Sequence, residues 1–283
     1  MTPRTPHRRR VPAALAALGL ALVAVLAGAP APASAYAPAD TATIHPGVQM
    51  FTDGAQCTAN FVFSDGTDLY IGYAAHCAGL GEATDTDGCL AGTLPVGTPV
   101  EIDGASQPGT LAYSSWATMQ AVGETDPDAC AYNDLALVRI DPADHDKVNP
   151  SVPHWGGPTG INTTGVGALT RVYSYGNSSL RQGITLLSPK TGVSLGTTGG
   201  GWTHPLYTVS PGIPGDSGSA FLDAQGRALG VLSTLALAPL PLSNNVSDLN
   251  KGLEYMRAHT TLDAISLVPG DLAFDGDQLP LGL

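Results

Sequence analysis

The segment Gly215-Asp216-Ser217-Gly218 decides the interpretation of this chain, together with Ala74-Ala75-His76-Cys77 far before it. Between them lies Asn133-Asp134-Leu135-Ala136-Leu137, so the chain supplies a histidine, a carboxylate and a serine, in that order. A serine hydroxyl attacks a carbonyl at useful rates only when a neighbouring imidazole takes its proton. That imidazole needs a third group, which fixes its tautomer and stabilises the imidazolium that forms. The three residue types therefore indicate nucleophilic catalysis.

Residues 1–35 are predicted to form a signal peptide that is removed on export. They combine an arginine-rich start, an apolar stretch from Val11 to Gly28, and Ala33-Ser34-Ala35, which is typical of an A-x-A cleavage site. The Pro- and Ala-rich segment after the apolar stretch makes a transmembrane anchor the weaker alternative. We therefore expect cleavage after Ala35 and a secreted, extracellular protein.

The mature chain is strongly acidic. Removal of residues 1–35 deletes four arginines and no acidic residue, so the formal net charge moves from −12 to −16. Nucleic acids and anionic membranes bind basic surfaces, so we expect neither as a partner. The sequence contains no zinc, nucleotide or flavin motif. We therefore expect no cofactor and no metal.

All four cysteines lie after the expected cleavage site. An exported chain with an even number of cysteines favours disulfides. Four cysteines allow three connectivities, which the sequence alone does not distinguish. We favour Cys57–Cys77 and Cys89–Cys130, because each closes a loop of moderate length. The first would also hold the strand end beside His76.

The composition predicts an all-β protein in two halves. Gly, Pro, Thr and Val are abundant, and short apolar segments alternate with turn signals. In one hairpin, residues 64–68 form an Asp-Gly turn, and the strand that follows it ends at His76. The Pro-rich residues 146–160 are expected to link the two halves.

One convincing helix lies near the end of the chain. Between Asp248 and Ala258, apolar residues recur on one face, and Ser247 is the expected N-cap. Residues 269–283 are expected to be a loosely held acidic tail.

Taken together, the three motifs resemble those of the chymotrypsin-like serine peptidase family, in its secreted bacterial branch. Any one motif could occur by chance, but their order and their gaps of 58 residues (134 − 76) and 83 residues (217 − 134) are specific. The resemblance extends from about Gly47 to about Met256. It implies two antiparallel six-stranded β-barrels with a C-terminal helix, and an active site in the groove between the barrels.

The family fold implies a division of this chain into successive segments. These are a short N-terminal segment (36–43), the first barrel (44–145), the linker (146–160), the second barrel with its C-terminal helix (161–268) and the tail (269–283).

The resemblance also implies roles for individual residues. Ser217 would be the nucleophile, His76 the general base and then the general acid, and Asp134 the acceptor of the other imidazole N–H. The backbone N–H groups of Gly215 and Ser217 would form the oxyanion hole. Ser233 is similar to the family serine whose hydroxyl supports the aspartate and whose carbonyl pairs with the substrate backbone.

Asp216 is expected to form an internal ion pair that holds the oxyanion loop open. In animal relatives its partner is a new N-terminal amine, but Ile44-His45-Pro46-Gly47 here follows Thr43 without the basic residue such cleavage needs. Some bacterial relatives use an arginine instead. We expect Arg171 to be this partner, with Arg181 as the second candidate and a surface role for Arg171 as the alternative.

Two positions bear on substrate specificity. Relatives that cleave after Lys or Arg carry an aspartate six residues before the nucleophile, where this chain has Pro211. Leu235, two residues after Ser233, stands where open pockets usually have glycine. Both indicate a shallow or apolar pocket for the P1 side chain. His204 could recognise an acidic side chain there, although a loop histidine is the favoured interpretation.

Two alternative functions are open. A serine esterase of the α/β-hydrolase type needs G-x-S-x-G with the serine before the histidine, whereas Ser219 stands at the last position here and the order is reversed. A catalytically silent binding protein is the second, and the intact set of triad residues argues against it. We therefore expect a serine endopeptidase that acts on protein or peptide substrates through an acyl-enzyme, with protein inhibitors as further partners.

Overall fold

The computed structural model describes residues 1–2, 36–81, 86–235 and 241–280. The expected signal peptide lies almost wholly outside these residues, so its prediction is not tested. Within the described part of the chain, no helix is both long and apolar enough to cross a membrane.

Fourteen β-strands and three α-helices make up the regular structure of the described residues. The strands of the first half are β1 (Gln49–Thr52), β2 (Ala55–Thr58), β3 (Val62–Ser64), β4 (Leu69–Ala74), β5 (Pro99–Ile102), β6 (Gly109–Ser114) and β7 (Leu135–Arg139). The later strands are β8 (Ala168–Tyr175), β9 (Pro189–Leu195), β10 (Thr203–Thr208), β11 (Ala220–Leu222), β12 (Ala228–Leu235), β13 (Asn244–Asp248) and β14 (Ser266–Leu267). The helices are α1 (Ser115–Val122), α2 (Pro127–Tyr132) and α3 (Leu249–His259).

The strands form two antiparallel bodies, as the all-β prediction requires. The second half closes into a six-stranded barrel in the order β10-β13-β12-β11-β8-β9. The first half forms an eight-stranded sheet in the order β14-β3-β4-β7-β6-β5-β1-β2. The first body therefore differs from the six-stranded barrel expected for it. The first half supplies seven strands, and β14, which the sequence interpretation assigned to the second barrel, pairs with β3 as the eighth.

Two neighbouring strands at the centre of the first sheet, β4 and β7, position two residues of the candidate site at their ends. All six residues of β4 are buried, and so are the first four residues of β7, with only Arg139 exposed. A strand that is buried on both faces gives a continuous apolar sequence, which is what both segments show. Because β4 and β7 pair from Tyr70 to Ala74, the residues next to their ends, His76 and Asp134, lie side by side.

The predicted C-terminal helix is present as α3, but its cap differs from the prediction. The carboxylate of Asp248, not Ser247, accepts the hydrogen bond from the Lys251 N–H. The Ser247 hydroxyl is engaged elsewhere, because it accepts a hydrogen bond of 3.2 Å from the N–H of Asp134. The second half of the chain thus contacts the backbone of the candidate catalytic carboxylate.

The prediction of a loosely held tail is wrong for residues 269–280, the part of it that the structure describes. The Asp271 carboxylate accepts hydrogen bonds from the Ser151 hydroxyl (2.5 Å) and the Asn149 side-chain amide (2.9 Å), both in the linker. Phe274 lies against Tyr173 of the second barrel, with ring centroids 5.2 Å apart. Together with β14, these contacts tie the first sheet, the linker and the second barrel to one C-terminal segment.

We expect Phe274→Ala to lower the free energy of unfolding by about 2 kcal/mol, because the ring loses its aromatic contact and leaves a gap. Urea unfolding followed by intrinsic fluorescence measures the change. Leu279→Ala is the matched control, since Leu279 is in the same tail but is 58% exposed. An equal effect of the two substitutions would contradict the clamping role of Phe274.

Candidate active site

The end of β4 fixes the backbone of His76. A 3-10 turn, Ala75–Ala78, follows the strand and contains both His76 and Cys77. Cys77 forms a disulfide with Cys57 in β2, across a Cα–Cα distance of 6.2 Å. Cys89 and Cys130 form the other disulfide. Both predicted pairings are therefore confirmed, and the first of them holds the turn that carries His76.

Asp134 holds His76 through both carboxylate oxygens. Its Oδ2 lies 2.7 Å from the imidazole Nδ1, and its Oδ1 accepts a hydrogen bond of 2.8 Å from the backbone N–H of His76. The Ser233 hydroxyl donates to the same Oδ2 at 2.6 Å. Asp134 is only 3% exposed. A buried carboxylate with three donors is fixed in orientation, and it fixes the ring orientation in turn.

The electrostatic environment of His76 combines two opposing effects. Burial of the ring acts to lower its pKa, whereas the charge of Asp134 and its hydrogen bond act to raise it. The net result is a His76 pKa above the usual value of 6.5. The imidazole side chain remains 26% exposed, so its edge is still reachable from solvent.

The segment around Ser217 is held against β2 of the first sheet. The Thr58 N–H donates to the Ser217 carbonyl at 2.8 Å, and the Thr58 hydroxyl donates to the Gly215 carbonyl at 2.7 Å. Gly215 has φ +93°, and a Cβ there would collide with the side chain of Gln56. Only glycine fits this position.

The amides of this segment are available to a ligand. Within the described part of the chain, neither the Gly215 N–H nor the Ser217 N–H donates a hydrogen bond to another residue. Asp216, which lies between them, is fully buried. The anchoring of its carboxylate therefore bears on the placement of both amides.

Asp216 pairs with Arg181, and the prediction of Arg171 as its partner is wrong. Arg171 is exposed on β8, whereas Arg181 is 9% exposed and its guanidinium Nη2 lies 2.5 Å from Asp216 Oδ2. The sequence reasoning missed a second cation, Lys190, whose Nζ lies 3.1 Å from the same oxygen. A buried carboxylate needs a buried partner. The side chain of Arg171 is exposed on β8 and therefore cannot serve as that partner.

The candidate residues meet at a cavity of about 540 Å³ between the two bodies. His76, Asp134 and Ser217 all line it, and so do Gly215 and Ser233. Leu235 also lines it, as expected, but Pro211 does not; the neighbouring residues 212–214 do.

Comparisons with known proteins bear on the fold. No family model matches the chain, and no curated protein matches it. Among solved structures, Thermobifida fusca Protease A is 19% identical, with a TM-score of 0.50, over 80% of this chain and 99% of that one. The chain has the chymotrypsin-like fold. A Nocardiopsis protease (17% identical, TM-score 0.47, 79% and 98% of the two chains) and a Cellulomonas bogoriensis chymotrypsin (18%, 0.46, 80% and 98%) also match.

Within this chymotrypsin-like fold, the cavity includes residues that the sequence reasoning missed. Trp116 of α1 lines it, with its ring centroid 6.4 Å from that of His76. Asn244 joins two segments of the wall: its Oδ1 accepts from the Gly212 N–H at 2.8 Å, and its Nδ2 donates to the Thr234 carbonyl at 3.3 Å. The sequence did contain a signal for α1. Ser114 is a good N-cap residue, and the apolar Trp116 and Met119 follow it one helical turn apart.

His204 does not line the cavity. It is fully buried in the second barrel, where Nε2 lies 2.9 Å from Asp248 Oδ2 and Nδ1 lies 3.0 Å from the Thr197 hydroxyl. The favoured interpretation of a loop histidine was also incorrect, because His204 lies within β10. Its two partners account for both ring nitrogens, which leaves none for a substrate side chain.

Proposed function

We propose that the protein is a secreted serine endopeptidase. The observation that carries this proposal is the pairing of His76 Nδ1 with Asp134 Oδ2 at 2.7 Å, beside a cavity that Ser217 also lines. This pairing leaves the other ring nitrogen, Nε2, to take a proton from a serine hydroxyl. The chymotrypsin-like fold, shared with solved bacterial proteases, supports the same conclusion by analogy.

The reaction would proceed through an acyl-enzyme. Ser217 Oγ attacks the scissile carbonyl while His76 accepts its proton, and Asp134 stabilises the imidazolium. The free N–H groups of Gly215 and Ser217 would bind the oxyanion of the tetrahedral intermediate. His76 then donates the proton to the leaving amine, and water reverses the sequence to release the acid product.

The chemistry of the cavity favours an uncharged P1 side chain. Among its described lining residues, the only ionisable side chains are His76 and Asp134. The wall beside Ser217 includes Ile213, Leu232 and Leu235. An apolar pocket binds a chain of similar size and leaves a charged one without a partner. Cleavage of a mixed peptide library is therefore expected after apolar residues, and cleavage mainly after Lys, Arg, Asp or Glu would contradict this.

Activity is expected to rise with pH as His76 loses its proton, because only the neutral imidazole acts as a base. Since Asp134 raises the His76 pKa above 6.5, the half-maximal rate should lie above that pH. The measurement is kcat/KM for a peptide amide across pH ~5 to ~9. A flat profile over that range would exclude His76 as the base.

A serine-directed fluorophosphonate probe tests the proposal directly. The wild type should be labelled, and Ser217→Ala should not. Ser219→Ala is the matched control and should keep the label, because Ser219 is fully buried two residues away. A folded wild type without label would favour a silent binding protein. Hydrolysis of esters without cleavage of any peptide would favour an esterase.

A further inference from the structure

Lys190 is an unusual lysine because its side chain is fully buried. It lies in β9, and among the described residues its ammonium group has one anionic neighbour, Asp216, at 3.1 Å. Burial removes the water that stabilises an ammonium, so a lysine in such a position is costly unless its charge is used.

The Asp216 carboxylate is already balanced without Lys190. Arg181 supplies one positive charge to Oδ2, and the N–H groups of Ser178 and Ile213 donate to Oδ1 and Oδ2. Lys190 adds a second positive charge on the same oxygen. One arginine is sufficient for charge balance, so Lys190 requires a separate explanation.

The packing around this pair is tight. At Gly176, just after β8, a Cβ would lie 2.5 Å from Asp216 Oδ1 and 2.9 Å from Lys190 Cε. Contacts this short leave no room for a methyl group. The site therefore holds the lysine stem and the carboxylate in a single arrangement.

We propose that Lys190 is a positioning residue for the oxyanion hole, acting through Asp216. This inference rests on the proposed function. Asp216 lies between the two free amides, those of Gly215 and Ser217. Its carboxylate also accepts a hydrogen bond from the Ile213 N–H of the same loop, so an anchored side chain helps to hold the backbone that carries the amides. Arg181 contacts the carboxylate from the 3-10 turn 179–181, and Lys190 contacts it from β9. The two cations together hold the carboxylate against rotation.

The role of Lys190 makes the site sensitive to alkaline pH. Burial lowers the Lys190 pKa below 10.5, and the charge of Arg181 lowers it further, while Asp216 partly opposes both. Tyr175 is the neighbouring titratable group on strand β8, and burial raises its pKa above 10.0. The ammonium is present below the Lys190 pKa and is lost as pH rises through it. Hydrolysis should therefore decline on an alkaline limb centred below pH 10.5.

Two substitutions test the proposal by opposite changes. Lys190→Met removes the charge and keeps an unbranched apolar chain, and we expect kcat to fall about 10- to 100-fold with KM changed less than about threefold. The alkaline limb should disappear, because the titrating group is gone. Lys190→Arg keeps a permanent cation, so activity should be largely retained while the limb again disappears. Lys251→Met is the matched control and should keep both the rate and the limb.

The outcomes separate this proposal from the proposed function. A wild type that cleaves peptides with the acid limb of His76 but shows no reversible decline below pH 10.5 overturns the role of Lys190 alone. An unchanged limb in Lys190→Arg, or a normal kcat in Lys190→Met, overturns it as well. If Lys190→Met does not fold, the arginine variant and the wild-type profile still decide. A wild type that cleaves nothing overturns the proposed function itself.

Discussion

Asp134→Asn is expected to lower kcat about 10⁴-fold at neutral pH, with a much smaller change in KM. The asparagine amide can present an N–H toward His76 Nδ1, which now lies 2.7 Å from a carboxylate oxygen. That N–H would stabilise the tautomer with its proton on Nε2, and this nitrogen could then no longer accept the serine proton. The loss also removes the charge that stabilises the imidazolium. Steady-state hydrolysis of a peptide amide measures both constants.

Ser233→Ala is the comparison for this substitution. It removes one of the three hydrogen bonds to Asp134 and leaves the charge in place, so we expect a loss of about tenfold or less. Urea unfolding of both variants excludes a loss of fold as the cause. If Asp134→Asn kept more than about a tenth of the wild-type kcat, Asp134 would not be the carboxylate of the reaction.

The second large effect is expected for Asp216→Asn, which should lower the free energy of unfolding by about 3–5 kcal/mol. The amide is nearly isosteric but carries no charge, so Arg181 and Lys190 would both remain buried without a counter-charge. Urea unfolding at neutral pH measures the change, and fluorophosphonate labelling should be lost in parallel. Asp40→Asn is the matched control, because Asp40 is exposed.

Equal stability of Asp216→Asn and Asp40→Asn would contradict the ion-pair network. It would mean that solvent reaches the two cations and replaces the carboxylate. In that case the orientation of the Gly215 and Ser217 amides would have to depend on other contacts of the segment, such as those with Thr58 and Gln56.

The sequence predicted those parts of the candidate site that depend on chain order and local motif. His76 and Asp134 follow or precede strands whose apolar segments are continuous, so strand pairing alone brings them together. The disulfide partner of Cys77 could be chosen because it would hold the end of the same strand. The all-β class followed from composition and turn signals, which do not depend on long-range contacts.

The partner of Asp216 could not be predicted in this way. Arg171 and Arg181 are equally polar in the sequence, and the choice between them depends on which one the barrel buries. Lys190 lies in β9, where alternation places it inward, and nothing in its local sequence marks it as buried. A charged side chain inside a barrel is a product of three-dimensional packing, which a local pattern does not encode.

The helix α1 and the tail were missed for a related reason. The buried residues of α1 are Ser115, Trp116 and Met119, so only two apolar residues mark its inner face and the signal is weak. The tail contacts the linker through Asp271 and the second barrel through Phe274, and an acidic segment with one aromatic residue resembles a solvated end. Both errors arise where a polar group has a specific partner far away in the chain.

The neutralisation of Asp216 by Arg181 and Lys190 also bears on whether the chain must be cut to complete this ion pair. Both cations are side chains of the second half, Lys190 in β9 and Arg181 in the 3-10 turn before it. The N–H of Ala37, near the start of the described residues, donates a hydrogen bond to the Val148 carbonyl of the linker. A freshly cut chain end is therefore not required to complete the ion pair. The ion pair would therefore form as the second half of the chain folds, wherever the chain begins.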